Sequence, residues 1–217
     1  MMNASSKLVR FFIVGFLSFI VSACAQDRGP APILSVAQVG CLTEPDLGAA
    51  KALVVSDGEA TPLEFLVSGA SPCLETGESV RSLFELVRLP EVDAAFSIRV
   101  SAVPSSTGLF APQLTILDAD GIPLRQLPEE KYLFRGPKLT ASARINAGER
   151  YLLIASNPER VGDRSQRTSA IINQYQSGGP IYFTVRTGSE FTKSVTYSHG
   201  GNVTVTGSFL DTSLDAR

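Results

Sequence analysis

The chain has 217 residues, of which 44% are hydrophobic and 18% are charged, and its formal net charge is −2. That length suffices for one domain with its own core, and so small a charge excludes an electrostatic attraction to nucleic acid. The three cysteines and the single histidine lack the spacing of a zinc site, so we expect no metal and no cofactor.

Residues 1–23 have the pattern of an export signal. Lys7 and Arg10 precede an uncharged apolar run over residues 11–21, which is shorter than the roughly 20 residues of a membrane-spanning helix. The run ends in Val21-Ser22-Ala23-Cys24, which resembles the lipobox of bacterial lipoproteins. The resemblance implies cleavage before Cys24 and acylation of its sulfur, which would bind the chain to membrane lipid. An ordinary cleaved signal with an incidental Cys24 is the alternative.

The residues after Cys24 bear on where the mature chain is anchored. In enteric sorting, an Asp directly after the lipidated cysteine retains the protein in the inner membrane, whereas Ala25 stands here. The resemblance therefore implies an anchor in the outer membrane that faces the periplasm. Residues 24–38 include Asp27, Arg28, Gly29, Pro30 and Pro32, which disfavour regular structure, so they predict a tether, and residues 39–217 predict a single domain.

Two further cysteines, Cys41 and Cys73, remain if Cys24 carries lipid. An even pair in an exported protein favours a disulfide, which would stabilise the fold by roughly 3–4 kcal/mol. Two free, buried thiols are the alternative.

The mature chain is rich in short segments typical of β-strands. Residues 95–101 show the pattern best, because Phe96, Ile98 and Val100 alternate with polar residues as in a half-buried strand. The predicted strands lie at residues 52–55, 63–67, 83–89, 95–101, 113–117, 122–124, 139–145, 151–155, 181–186, 194–197 and 203–209. Many short strands separated by turns predict an all-β fold, an antiparallel β-sandwich of a jelly-roll-like kind.

Turns and one long polar stretch separate these segments. Asp118-Ala119-Asp120-Gly121 lies between two apolar runs and predicts a hairpin, and residues 146–149 predict a second strand–turn–strand unit. Residues 157–179 interrupt the pattern. They predict one long polar loop, or a short helix that begins near Pro158 with Asn157 as its cap.

Three neighbouring stretches carry a family resemblance. Residues 109–118 read Leu-Phe-Ala-Pro-Gln-Leu-Thr-Ile-Leu-Asp, residues 132–134 read Tyr-Leu-Phe, and residues 150–156 begin Arg-Tyr-Leu-Leu-Ile. Over about residues 40–190, the chain resembles the maltose operon periplasmic protein (MalM) family. The resemblance implies export, a β-rich fold and an accessory role beside maltodextrin uptake, and it carries over no catalytic residue. The hairpin over residues 114–124 also looks like bacterial pre-peptidase C-terminal sandwiches.

Motifs for metal binding or catalysis are weak. Asp118 and Asp120 suggest a calcium loop, but Ile122 and Pro123 stand where such a loop needs a third ligand and a Gly. His199 is the sole histidine, and it lies in a predicted turn without an acid beside it to orient the ring. We therefore expect no catalytic residue and rank a hydrolase last among the functions.

Aromatic side chains are the remaining candidates for ligand contact. The chain has no Trp, and Tyr132, Phe134 and Tyr175 lie in or near predicted loops, where rings can serve as platforms for a sugar. The sequence thus predicts a membrane-anchored envelope lipoprotein, a non-enzymatic binding or accessory module whose partner is an oligosaccharide or an envelope protein. A structural partner in an envelope assembly is the alternative function.

Overall fold

The computed structural model of the chain describes residues 31–37, 40–56, 61–75, 79–92, 95–105, 108–176 and 184–210, and the side chains of these residues except 167–193. The predicted export signal and Cys24 lie outside the described residues. Two short 3₁₀-helices, Leu47–Ala49 and Glu129–Lys131, accompany the strands of the described part. Those strands are β1 (Lys51–Ala52), β2 (Val55–Ser56), β3 (Leu63–Val67), β4 (Cys73–Glu75), β5 (Arg81–Arg88), β6 (Phe96–Val103), β7 (Gly108–Phe110), β8 (Pro112–Leu117), β9 (Pro123–Gln126), β10 (Leu133–Arg135), β11 (Lys138–Ile145), β12 (Tyr151–Ser156), β13 (Arg164–Gln176), β14 (Thr184–Ser198) and β15 (Gly201–Phe209).

Two six-stranded sheets form the body of the molecule. The first sheet has the order β1-β5-β12-β8-β9, and β4 is added beside β5. The second has the order β10-β11-β6-β15-β2, and β3 is added beside β15. Most neighbouring strands are antiparallel, but β1 runs parallel to β5 and β2 runs parallel to β15. The predicted all-β sandwich is confirmed, and its sheets are mixed at these edges rather than purely antiparallel.

Side chains from both sheets share one core. Phe96, Ile98 and Val100 of β6 are buried, as their alternation predicted. They belong to the same apolar cluster as Leu114 and Ile116 of β8 in the other sheet. This cluster holds the two sheets face to face, and its removal from water is the main source of stability.

The first sheet is covered on its outer face as well. Phe84 and Leu86 of β5 pack with Leu47 and Leu74 in a second, smaller cluster. Residues on both faces of β5 are therefore buried, which explains why its sequence reads as a nearly continuous apolar run instead of an alternation.

The two predicted turns have different roles. The Asp118–Gly121 turn joins β8 and β9 in the predicted hairpin. Residues 146–150 instead carry the chain from β11 in the second sheet to β12 in the first. This connection, here called the arch, closes one end of the sandwich. The strands on its two sides were predicted correctly, but they are not paired with each other.

The long polar loop or short helix predicted over residues 157–179 is wrong for the described part of that range. Residues 158–162 form a turn, in which Asn157 Oδ1 accepts a hydrogen bond from the Glu159 N–H at 3.0 Å. β13 begins at Arg164 and pairs with β14 as far as Gln176. Such a ribbon is held by backbone hydrogen bonds between its two strands, so it needs no apolar alternation and gives little sequence signal.

Part of the predicted tether belongs to the folded body. Residues 31–37, here called the strap, lie against the connection between β14 and β15. The Ile33 N–H donates to Ser198 Oγ at 2.8 Å, and the His199 N–H donates to the Ile33 carbonyl oxygen at 2.8 Å. Ile33 and Val36 also pack against the main core. The other residues of the predicted tether, 24–30 and 38, lie outside the described residues, so for them the tether stays a prediction.

The strap lies at the end of the sandwich where β12 ends at Ser156, β8 begins at Pro112 and β15 begins at Gly201. We call this the strap end. The opposite end, which carries the arch, is the arch end.

Candidate functional site

A shallow cleft of about 160 Å³ opens at the strap end, beside the start of β8. Its lining combines an aromatic ring, three side-chain amides and an ion pair, which come from Tyr132, Gln113, Gln126, Asn157, Glu129 and Arg160. A concave surface with a few convergent polar groups and one ring is typical of a site for a small polar ligand.

Tyr132 is the predicted contact residue that lies in this cleft. It follows the 3₁₀-helix Glu129–Lys131, and its hydroxyl oxygen accepts a hydrogen bond from the Leu114 N–H at 2.8 Å. Burial raises the pKa of Tyr132 to about 12, although the hydrogen bond from Leu114 opposes the shift. The phenol therefore stays neutral near pH 7, and its hydrogen bond fixes the ring against β8.

The three amides reach the cleft from neighbouring segments. Gln113 occupies a half-buried position in β8, where buried and half-buried residues alternate at its start. Gln126 ends β9 and is exposed, and Asn157 directly follows β12. Each amide offers a donor and an acceptor, so the group suits a ligand that carries neutral hydroxyls.

Arg160 forms one side of the cleft. Its guanidinium carbon lies 4.3 Å from the centre of the Tyr197 ring, and its Nη1 lies 3.3 Å from Glu129 Oε1. The ring contact orients the planar guanidinium, and the ion pair offsets its charge. The arrangement favours an uncharged polar ligand over a strongly anionic one.

The other predicted contact residues are placed differently. Phe134 of β10 packs against the main core and is not among the residues that line the cleft. Tyr175 of β13 stands in register with Val185, and its side chain lies outside the described set, so its contact with a ligand stays a prediction. Sequence reasoning missed Gln113, Gln126 and Asn157, because isolated amides form no motif until folding brings them together.

A buried serine–histidine pair lies at the same end of the sandwich. Ser156 Oγ is 2.7 Å from His199 Nδ1, and it accepts a hydrogen bond from the Leu83 N–H at 3.0 Å. Burial lowers the pKa of His199 from its usual 6.5, which favours the neutral ring. Ser156 is 0% exposed and His199 is 5% exposed, so no substrate reaches the hydroxyl in this conformation. The pair links β12 to the β14–β15 connection and fits a structural role.

The calcium-loop alternative finds no support at Asp118. Asp118 Oδ1 accepts hydrogen bonds from the backbone N–H groups of Asp120 and Ile122 at 2.9 and 2.8 Å, which is the arrangement of a side chain that stabilises its own turn. Within the described ranges, no three Asp, Glu, His or Cys side chains are grouped so that they could hold a metal ion.

A second concavity, of about 360 Å³, lies at the arch end. Glu149 lines it and is buried, and its carboxylate accepts hydrogen bonds from Arg125 Nε at 2.7 Å and from the Asn146 N–H at 2.8 Å. Burial by itself would raise the pKa of Glu149, but the hydrogen bonds from Arg125 and Asn146 outweigh it and lower the pKa below its usual 4.5. This network fixes the arch, so we assign Glu149 a structural role.

Cys41 and Cys73 form the predicted disulfide, with 32 residues of sequence separation. The bond ties the segment before the first 3₁₀-helix to β4 of the first sheet. It accounts for two of the three cysteines of the chain, and the third is Cys24.

Comparison of the chain with family models, curated proteins and solved structures gave no match. The likeness to the maltose operon periplasmic protein family thus stays a prediction from the sequence. In the part of the chain that the structure describes, no helix has the length and apolar content needed to cross a membrane.

Proposed function

We propose that this protein is a lipid-anchored envelope lipoprotein whose role is to bind a partner at the membrane surface and not to catalyse a reaction.

 The observation that carries the proposal is the cysteine pattern. The lipobox ends in Cys24, and the Cys41–Cys73 disulfide accounts for the other two cysteines, which leaves Cys24 for acylation. A disulfide also fits the oxidising compartments outside the cytoplasm.

Binding is favoured over catalysis by the environment of the polar groups. The Ser156–His199 pair is buried, whereas the Tyr132 cleft opens to solvent and gathers a ring, three side-chain amides and an ion pair whose two charges offset each other. A non-enzymatic binding or accessory module is the function that this arrangement supports best. Its specific form is an accessory role in carbohydrate uptake, for which the ring of Tyr132 and the amides beside it supply the contacts.

Metabolic labelling with a clickable palmitate analogue tests the anchor. We expect the full chain to incorporate the label and to partition into detergent, and Cys24→Ala to lose both properties. The double variant Cys41→Ser/Cys73→Ser is the matched control, because it removes two thiols and keeps Cys24. A native polypeptide whose mass shows an unmodified Cys24 or an intact leader would overturn the proposal.

Calorimetric titration of the full chain in detergent with maltooligosaccharides tests the carbohydrate form. We expect Tyr132→Leu to weaken binding about tenfold, the loss of roughly 1.4 kcal/mol of ring contact. Phe134→Leu is the matched control, since it removes an aromatic ring two residues away that does not line the cleft. No heat at millimolar ligand, or equal losses in both variants, would count against a sugar site.

The alternative function, a structural partner in an envelope assembly, is favoured by one observation. From Arg167 paired with Lys193 to Gln176 paired with Thr184, β13 and β14 pair only with each other among the described strands. A two-stranded ribbon is marginally stable by itself, and its open edges can accept a further strand.

Shortening the ribbon tests this alternative. Residues 169–191 are replaced by Asn-Gly, which closes the Thr168–Thr192 pair with a tight hairpin turn. If the ribbon docks a partner protein, crosslinking in intact envelopes should give a defined adduct with the full chain and none with the shortened chain. An adduct that survives the replacement would assign the contact to another surface.

A further inference from the structure

We infer that the strap end of the sandwich faces the lipid headgroups and that the arch end faces away from the membrane. This orientation requires the lipid anchor at Cys24 proposed above, and it assigns the membrane surface as the partner of one particular end of the body.

The strap is attached to the body at a fixed point. Ile33 exchanges hydrogen bonds with Ser198 and His199, so its backbone is held on both its N–H and its carbonyl side. A Cβ at Gly200 would lie 2.6 Å from Ile33 Cδ1 and 2.8 Å from the Val67 carbonyl oxygen. The Ile33 side chain thus packs directly against the Gly200 backbone, and the Val67 carbonyl oxygen leaves no room for a Cβ at position 200.

The chain between the anchor and this point is short. Ile33 is the ninth residue after Cys24. A fully extended segment of that length spans at most about 30 Å, and a flexible one spans about 16 Å on average. The eight residues of β11 alone span about 26 Å between the two ends of the sandwich. A body whose strands stand roughly perpendicular to the membrane, here called upright, therefore holds the strap end near the headgroups and the arch end about one strand length farther out.

Exposed basic residues favour this upright arrangement. Lys131, Arg135 and Lys138 are exposed on and around the β10–β11 hairpin, which turns at the strap end. Leu133 in the same hairpin is 55% exposed. Glu129 and Glu130 are also exposed there, so the three basic side chains exceed the acidic ones by one. Positive charge beside an exposed apolar side chain is complementary to a surface of anionic lipid.

The orientation places the two clefts in different surroundings. The Tyr132 cleft lies at the strap end and therefore close to the headgroups. The larger concavity beside Glu149 lies at the arch end, where a soluble partner has free access.

Energy transfer from a single Trp to a dansyl lipid tests the orientation, because the natural chain contains no Trp. Leu133→Trp and Ile122→Trp form a matched pair: the two side chains are 55% and 59% exposed, one toward the strap end and the other at the arch end. The lipidated variants are placed in vesicles of phosphatidylethanolamine, phosphatidylglycerol and dansyl-phosphatidylethanolamine. We expect several-fold greater transfer from Trp at position 133. Equal transfer, or greater transfer from position 122, would overturn the orientation.

Two further variants test whether the strap and the short tether cause the difference. Ile33→Asp should release the strap, and a long Gly/Ser insertion between Gly29 and Pro30 should lengthen the tether without touching the fold. Each should reduce the difference between the two Trp positions, and an unchanged difference with the insertion would contradict the role of tether length.

Failure of lipidation remains distinguishable from failure of the orientation. If cells do not acylate Cys24, the leaderless chain can be coupled at Cys24 to a maleimide lipid, since the other two cysteines are joined to each other. The same Trp comparison then measures the orientation alone, and its outcome supports or overturns the strap-end assignment without reference to acylation.

Discussion

The two ends of the sandwich are closed by different chemistry. At the strap end, neutral groups are buried together: Ser156 bonds to His199, and the backbone of the strap covers the connection that carries them. At the arch end, Glu149 is buried as an ion that Arg125 and Asn146 hold in place. The ends of one core can thus be closed by a neutral titratable group, as in the Ser156–His199 pair, which we call the neutral seal, or by a charged one, as in the network of Glu149 with Arg125 and Asn146, which we call the charged seal. The two seals should therefore fail under different conditions.

The largest expected effect is at the disulfide, which adds a covalent restraint near the strap end. Cys41→Ser/Cys73→Ser should lower the free energy of unfolding by about 4 kcal/mol, the chain-entropy value for a loop of this size. Urea unfolding in a Cys24→Ala background measures the change, and a reductant should reproduce it in the unsubstituted pair. A midpoint that does not move would contradict the assigned role.

The charged seal comes next. Glu149→Gln should lower the free energy of unfolding by about 3 kcal/mol, because it leaves Arg125 without its buried counterion. Glu91→Gln is the matched control: its carboxylate is 80% exposed and pairs with Arg150, and such surface pairs contribute about 0–1 kcal/mol. Equal losses in the two variants would remove the distinction between the arch network and an ordinary surface pair.

The neutral seal should cost less to break. Ser156→Ala should lower the free energy of unfolding by about 2 kcal/mol, since it leaves the Leu83 N–H and His199 Nδ1 without their buried partner. Ser97→Ala removes an exposed hydroxyl that contacts Ser208 and should change stability far less. The comparison fails if the exposed serine proves as important as the buried one.

The smallest effect, a dependence on pH, separates the two ends most directly. The pKa of His199 is lower in the folded state than its usual 6.5, so the unfolded chain binds the proton more tightly. Stability should therefore fall as the pH drops below 6.5, by at most about 1.4 kcal/mol per pH unit for one group. The pKa of Glu149 is lowered from 4.5, so its contribution is lost only at more acidic pH.

Urea unfolding over a series of pH values checks this order. His199→Gln should flatten the slope directly below pH 6.5 and leave the loss below pH 4.5, whereas Glu149→Gln should do the reverse. Parallel curves for the parent chain and His199→Gln between those two values would show that the neutral seal does not titrate as proposed.

The strands of the sandwich were predictable where one face alone is buried. β6 and β15 alternate in sequence because each has a core face and an outer face. The hairpin at Asp118 was predictable because the side chain of Asp118 stabilises the turn through hydrogen bonds to residues close in the chain. β13 was missed, because its sequence from Arg164 to Gln176 has no sustained apolar alternation of the kind that a strand packed on the core shows. Of the candidate site, the sequence indicated Tyr132, but nothing local relates it to Gln113 or Asn157.

By itself, the sequence determined the β-rich character of the chain, its main turns and the chemistry of its first residues. These depend on alternation, on turn-forming side chains and on short motifs, all of which act over a few neighbouring residues. The tertiary structure alone decided that the arch joins two sheets, that the strap is part of the body, and that Ser156 meets His199. Those contacts join residues far apart in the chain, and they form because burying the shared core brings the ends of many strands together.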